Sequence, residues 1–338
     1  MAAKLEHPWT RRSLLRLGLL LPLAGVAGCA PSPLITPDDG SSPMPAPSMD
    51  EPRRVAARAA AGLAELATAC AGIAGIDGVL ATWLTALAAQ HRAHQQVLSQ
   101  ADPLGGVQTD HTPLEPIEAS PLPVPGDQAA AMALLATQHA ALAETLTPMV
   151  TDGTQAPSMA LLWISQQLAA RVAAAALEAG EVGRLGPAPA AGGAVPAELA
   201  DPGNATDARQ VLLSHQRTLV FGLQALLGRL AHDDPQVDVI TARLGQAMRE
   251  RDATVAAIEQ AGGSAEPPAA EYQLPGDPTD ASQRSQIWGR LELAVLAGWA
   301  RLAAVDGAER TAAVDQAAVA AGRTRAQGIA LTHWPGWV

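Results

Sequence analysis

Leu80, Leu84, Leu87, His91, His94 and Leu98 follow one another at spacings of 4, 3, 4, 3 and 4. Residues three and four apart share one face of a helix that turns every 3.6 residues, so this series predicts a helix with a single buried stripe. The same rule finds Leu63, Leu66, Cys70 and Ile73, then Met132, Leu135, His139, Leu142, Leu146 and Met149, then Leu161, Ile164, Leu168 and Val172. It continues through Leu212, His215, Leu219, Leu223, Leu226 and Leu230, through Leu244, Met248, Arg251, Val255 and Ile258, and through Trp288, Glu292, Val295, Trp299 and Leu302. An eighth, alanine-rich helix over roughly 308–331 carries a weaker stripe through Val314 and Ile329. Alanine and leucine dominate, aromatic residues are 3%, and such a composition favours helix over sheet. The expected fold is all-α.

The connections order these helices. "GIDG" and "TDGTQAP" are short links inside residues 53–184, while about 25 proline-studded residues, 102–126, separate the second helix from the third. Residues 205–338 repeat the pattern, with short links at "HDDP" and at residues 306–307 and a long one over about 262–280. Both long links end alike, in "LPVPGD" (122–127) and "QLPGD" (273–277), an internal repeat offset by 150 residues. Two short links around one long link specify a four-helix bundle with a single crossover, the ferritin-like connectivity, here expected twice in tandem. Residues 185–204, rich in proline and glycine, read as the linker between a first bundle (53–184, a diverged copy) and a second (205–338).

The N-terminus reads as an address. "TRRSLLR", with Arg11 and Arg12, resembles a twin-arginine export signal. Leu17 to Gly28 is an apolar run too short to span a bilayer of about 30 Å as a helix. "VAGC" resembles a bacterial lipobox, which implies removal of residues 1–28 and acylation of Cys29. Residues 29–52, rich in proline, serine and acid, read as a disordered tether. The resemblance implies a protein held by lipid on Cys29 at the outer face of the cell membrane. Cys70 would then be the remaining cysteine, without a disulfide partner.

The segments "LLSHQRTLVFGLQALLGRL", "MRERDATVAAIEQAGGSAEPPAAEYQLP", "LELAVLAGWARL" and "HWPGWV" of residues 207–338 resemble an uncharacterised ferritin-like domain of high-GC bacteria. Ferritin-like di-iron proteins bring a Glu from each of two helices and a Glu-x-x-His pair from each of the other two. Measured against that set, the second bundle offers His215 beside Ser214, Glu250, Asp252 and a buried Glu292, and neither candidate helix carries Glu-x-x-His. Glu292 is expected to pair with Arg251, because a buried carboxylate needs a cationic partner.

The first bundle places His91, His94 and His139 on the stripes of its second and third helices. Three imidazoles meeting in a dry core are a candidate site for zinc or another transition metal, with Glu178 as an approaching acid, whereas Glu65 and Glu144 lie off their stripes. The competing reading is three core histidines, each bonded to a neighbour such as Gln90, Gln138 or Gln166. The repeat sets Met248 and Arg251 opposite the histidine pair. Asn204-Ala205-Thr206 reads as the cap region of the fifth helix. Cys70, Trp83, Trp163, Trp288 and Trp299 read as core, and Trp334 and Trp337 as residues that cap a bundle end or dock the two bundles together.

The formal charge is −11, and −14 once residues 1–28 with their four basic and one acidic residue are removed. So acidic a chain repels nucleic acid. No Gly-rich phosphate loop, Ser-His-Asp arrangement or cysteine pair occurs. The expected function is therefore non-enzymatic: a binding or scaffolding lipoprotein with no cofactor and an unknown protein partner. A metalloprotein built on the three histidines, for metal storage or oxidation, and a carrier of an apolar ligand between the bundles are the competing readings.

Overall fold

The computed structural model describes residues 48–108, 112–119, 121–201 and 203–337. Cys29, Arg11, Arg12, the signal segment 1–28 and most of the tether lie outside the described residues. Residues 47–338 form one compact unit. Among the described residues the structure is helical, with two isolated bridges in place of any sheet. Eight α-helices are described: α1 (Glu51–Ala71), α2 (Gly78–Ser99), α3 (Gln128–Thr151), α4 (Pro157–Glu178), α5 (Ala205–Leu227), α6 (Gln236–Gln260), α7 (Arg284–Val305) and α8 (Arg310–Ala326).

Polar residues at the helix starts satisfy the first free N–H groups. Asp50 Oδ1 accepts from Arg53 N at 2.8 Å, Asp77 Oδ1 from Val79 N at 2.8 Å, and Asp127 Oδ1 from Ala130 N at 2.9 Å. Asn204 and Asp207 form a reciprocal capping box at α5, in accord with the expected cap. Cationic side chains serve the opposite ends, where free carbonyls carry partial negative charge. Buried Arg53 donates to the carbonyls of Leu98 and Gln100 at the end of α2. Buried Arg310 donates to Ala303 O at 2.8 Å and Ala304 O at 3.2 Å at the end of α7, and to Val150 O at 3.3 Å and Asp152 O at 2.5 Å at the end of α3. One guanidinium thus ties helices from both halves of the chain.

Four helix pairs, α1/α2, α3/α4, α5/α6 and α7/α8, pack closely across short turns. In addition α1 packs on α3, and α5 on α7. The long connections 100–127 and 261–283 carry only the short 3₁₀ turns Gly106–Gln108 and Ala281–Gln283 among the described residues. Glycine sets the α5–α7 approach: a Cβ on Gly222 would lie 2.3 Å from Leu291 Cδ1, and one on Gly298 3.0 Å from Leu212 Cδ1.

Helix α4 joins the halves. It packs on α3 and also on α7 and α8, and it is buried around most of its circumference. It is long and apolar enough to cross a membrane, but 78% of the apolar window lies inside the fold, as befits a central core helix. Residues 185–204 run along the body. Ala190 N donates to Leu331 O at 2.8 Å, Gly106 N to Pro196 O at 3.2 Å, Glu198 N to Leu104 O at 3.1 Å and Leu199 N to Ser158 Oγ at 2.9 Å. This segment stitches the first crossover, α4 and the C-terminus together.

The apolar stripes of α2, α5 and α7 are buried nearly as read, although His215 is half-buried and the fully buried polar residue of that helix is Gln216. Helix α6 differs. Its buried face holds Ile240, Arg243, Ala247, Thr254 and Ile258, while Met248 is exposed and Arg251 pairs with Asp252 at the surface. Leu244 and Met248 sit one residue past Arg243 and Ala247, a rotation of about 100°. The reading followed the larger apolar residues, whereas packing selected small Ala247 and a paired arginine. Helix α8 ends at Ala326, followed by Gly328 at φ +79°, so Ile329 lies beyond it. Helix α1 begins at Glu51, and Met49 is already buried, so the packed body starts inside the expected tether.

Candidate functional site

The three histidines are buried, each 1% exposed or less. His139, on α3, donates from Nδ1 to Leu135 O at 2.7 Å, one turn back on its own helix. A carbonyl accepts only, so the neutral ring keeps its proton on Nδ1 and presents a lone pair at Nε2. His91 Nε2 stands 2.9 Å from that nitrogen and therefore carries the N–H that donates to it. His91 Nδ1 is left as a buried acceptor with no partner among the described residues.

His94 points elsewhere. Its Nε2 donates to His333 O at 2.7 Å, and its ring lies 4.6 Å from that of Trp334. The structure thus brings His91 and His139 together and turns His94 to the C-terminal segment. Glu178 is exposed at the end of α4, and Glu65 and Glu144 are exposed as well. Among the described residues no group of three or more His, Cys, Asp or Glu side chains is placed to hold a metal ion. Nor do Gln138 and Gln166 serve the rings: the ring bonds run between His91 and His139 and to the main-chain carbonyls of Leu135 and His333, and Gln166 Nε2 has no partner among the described residues.

Burial governs the charge of this cluster. It pushes His94 down to about 4, an effect eased by the bond to His333 O and reinforced by His333 and His139. It pushes His139 to about 4 against the bond to Leu135 O. His91 lies well below the usual imidazole range, through burial first and then the neighbouring His139, His94 and His333. All three are neutral at pH 7.

The second half holds a buried polar pair between the corresponding helices. Arg243 of α6 grips Glu292 of α7 through Nε–Oε1 at 2.7 Å and Nη2–Oε2 at 3.1 Å, and Glu292 is fully buried. Trp288 Nε1–H donates to Glu292 Oε1 at 3.0 Å, one turn away on α7. Glu250 accepts from Arg243 at 3.1 Å and from Arg323 of α8 at 3.2 Å. Burial works against the Arg243 charge, but Glu292 and Glu250 outweigh it and raise its pKa. The expected partner of Glu292, Arg251, is replaced by Arg243 for the reason given above: Arg251 faces solvent. His91–His139 spans 48 residues and Arg243–Glu292 spans 49, each joining the second helix of its half to the third. Of the residues read opposite His91 and His94, Met248 is exposed and Arg251 lies at the surface, whereas the polar pair between α6 and α7 is Arg243 with Glu292.

Sequence reading missed the C-terminal segment as part of this cluster. Leu331, Trp334 and Trp337 are buried, and Gln90 Nε2 donates to the carbonyls of Thr332 and His333, each at 3.4 Å. Gly336, at φ +95°, fits a notch where a Cβ would lie 2.6 Å from Ala300 Cβ on α7, with Leu161 of α4 3.8 Å away. The segment therefore touches α2, α4 and α7. The signal was its aromatic density in a chain with few aromatics. Cys70 is fully buried, and burial raises its thiol pKa, as suits a small core residue.

Residues 208–338, from α5 to the C-terminal segment, match the model of a family described as Domain of unknown function (DUF4439). No curated protein and no solved structure matches the chain.

Proposed function

We propose that this protein is a non-enzymatic binding or scaffolding lipoprotein of the cell envelope, exported through its Arg11-Arg12 signal and anchored by lipid on Cys29, with two ferritin-like bundles fused through α4 and lacking a di-iron centre. One observation carries this reading. In each half a buried acceptor that a metal would need is already engaged from within the protein, Glu292 by Arg243 and Trp288, and His139 Nε2 by His91, although His91 Nδ1 and Arg243 Nη1 have no partner among the described residues. A carboxylate held by a guanidinium has its lone pairs directed at N–H groups, and a metal would have to displace that charge. The equivalent placement of the two pairs supports a duplication of one four-helix unit.

The test is metal content. Protein purified without a tag and incubated with zinc, copper or iron should retain less than about a tenth of an equivalent after desalting, since two imidazoles alone fall short of the three or four ligands usual for a zinc site. One equivalent retained, and lost on His139→Ala, would replace this reading with that of a metalloprotein. Anchoring is tested separately: Cys29→Ser should abolish incorporation of labelled acyl chains and release the protein from the membrane fraction. Arg11→Lys with Arg12→Lys should leave it in the cytoplasm.

A further inference from the structure

Outside the histidine cluster, the C-terminal segment helps to wall a cavity of about 380 Å³. Its sides come from four separate parts of the chain: Gln96 and Val97 at the end of α2, Val107 in the first crossover, Val195 in the segment 185–204, and His333 and Trp334. No described Asp, Glu, Lys or Arg lines it. Val107 and Val195 are 77% and 37% exposed, so its rim offers apolar side chains to solvent. Two of its walls are fixed to one another: a Cβ on Gly193, at φ +91°, would lie 2.5 Å from Thr332 Cγ2. Two other grooves of comparable size lie between neighbouring helices and carry a charge, Glu178 in one and Arg58 in the other.

The place of this cavity in the chain bears on its occupant. Buried Arg53, in the first turn of α1, bonds to the carbonyls of Leu98 and Gln100, and Gln100 lines the cavity. The cavity therefore lies beside the first turn of α1, close to the start of the described body. Resting on the anchored-protein reading above, we propose that it receives one acyl chain of a phospholipid from the adjacent bilayer. Its volume falls in the range of small-molecule pockets, and an uncharged wall suits a hydrocarbon chain, for which any unpaired charge would be a penalty. Gln96, at the edge, is placed to meet the ester end of the chain.

The full chain carrying Cys29→Ser, which has no lipid of its own at that position, is mixed with phosphatidylcholine vesicles containing a diazirine on one acyl chain, irradiated, and mapped by mass spectrometry. Cross-links are expected to concentrate in residues 93–107, 192–196 and 333–334. Val195→Glu and Val107→Glu alter exposed rim positions and should each lower that labelling at least tenfold, with melting temperatures unchanged. Labelling centred on the α3–α4 groove, labelling unaffected by both variants, or no labelling would overturn the proposal. Incorporation of labelled acyl chains at Cys29 of the unaltered chain decides the underlying anchoring reading independently, so a failed cavity with acylation intact leaves an anchored binding protein with its site elsewhere.

Discussion

At the residue scale the strongest consequences follow from Glu292 and the histidines. Glu292→Ala leaves the Arg243 guanidinium buried and without its bidentate partner, which costs about 3–5 kcal/mol. Replacing both residues with apolar side chains of similar size, Arg243→Met with Glu292→Leu, should recover most of that loss. Urea unfolding of Arg243→Met, of Glu292→Leu and of the double variant, read as a cycle, checks the claim. The histidines give a pH dependence of defined sign. Their folded pKa values lie below the unfolded value of about 6.5, so the unfolded chain binds more protons as the solution is acidified. Stability from this source is complete above about pH 6.5 and declines as pH falls toward 4. Denaturation midpoints across pH 7.5 to 4 should show the decline, and His94→Gln with His139→Gln should flatten it.

At the element scale, the C-terminal segment and the helix ends deserve separate tests. Gly336→Ala forces a side chain onto φ +95° and against Ala300, at a cost of about 1–3 kcal/mol in melting experiments. Trp334→Ala opens a void against His94 and costs about 3–5 kcal/mol. These are also the features that sequence periodicity reads least well. The spacing of Leu80, Leu84 and Leu87 located α2 because large apolar residues and a 3.6-residue period agree there. On α6 they disagree, and the alanine at 247 and arginine at 243 that packing buries look like surface residues on paper. His91 and His94 share a face of α2, but which of them meets His139 depends on where residues 332–334 return to the body. That return brings together residues more than 200 positions apart, and no local pattern records it.

At the scale of the whole molecule, α4 serves two sets of neighbours, α3 on one side and α7 and α8 on the other. Its alanine, serine and glutamine positions permit close approach around most of the helix. Unfolding should therefore be one transition, with far-UV circular dichroism and tryptophan fluorescence coinciding. Residues 205–338 produced alone would expose the faces of α7 and α8 that rest on α4, and should melt at a lower temperature and bind an apolar dye. Two separated transitions in the full chain would instead make the halves independent domains.

The central claim is that His91 and His139 pair with one another through their Nε2 atoms as neutral rings, with no metal between them. Long-range ¹H–¹⁵N NMR of the histidine side chains at pH 7 addresses it directly. The account predicts His139 as the Nδ1–H tautomer and His91 as the Nε2–H tautomer, both unchanged on addition of one equivalent of zinc. A shift of both Nε2 resonances into a second, slowly exchanging set on that addition would contradict it.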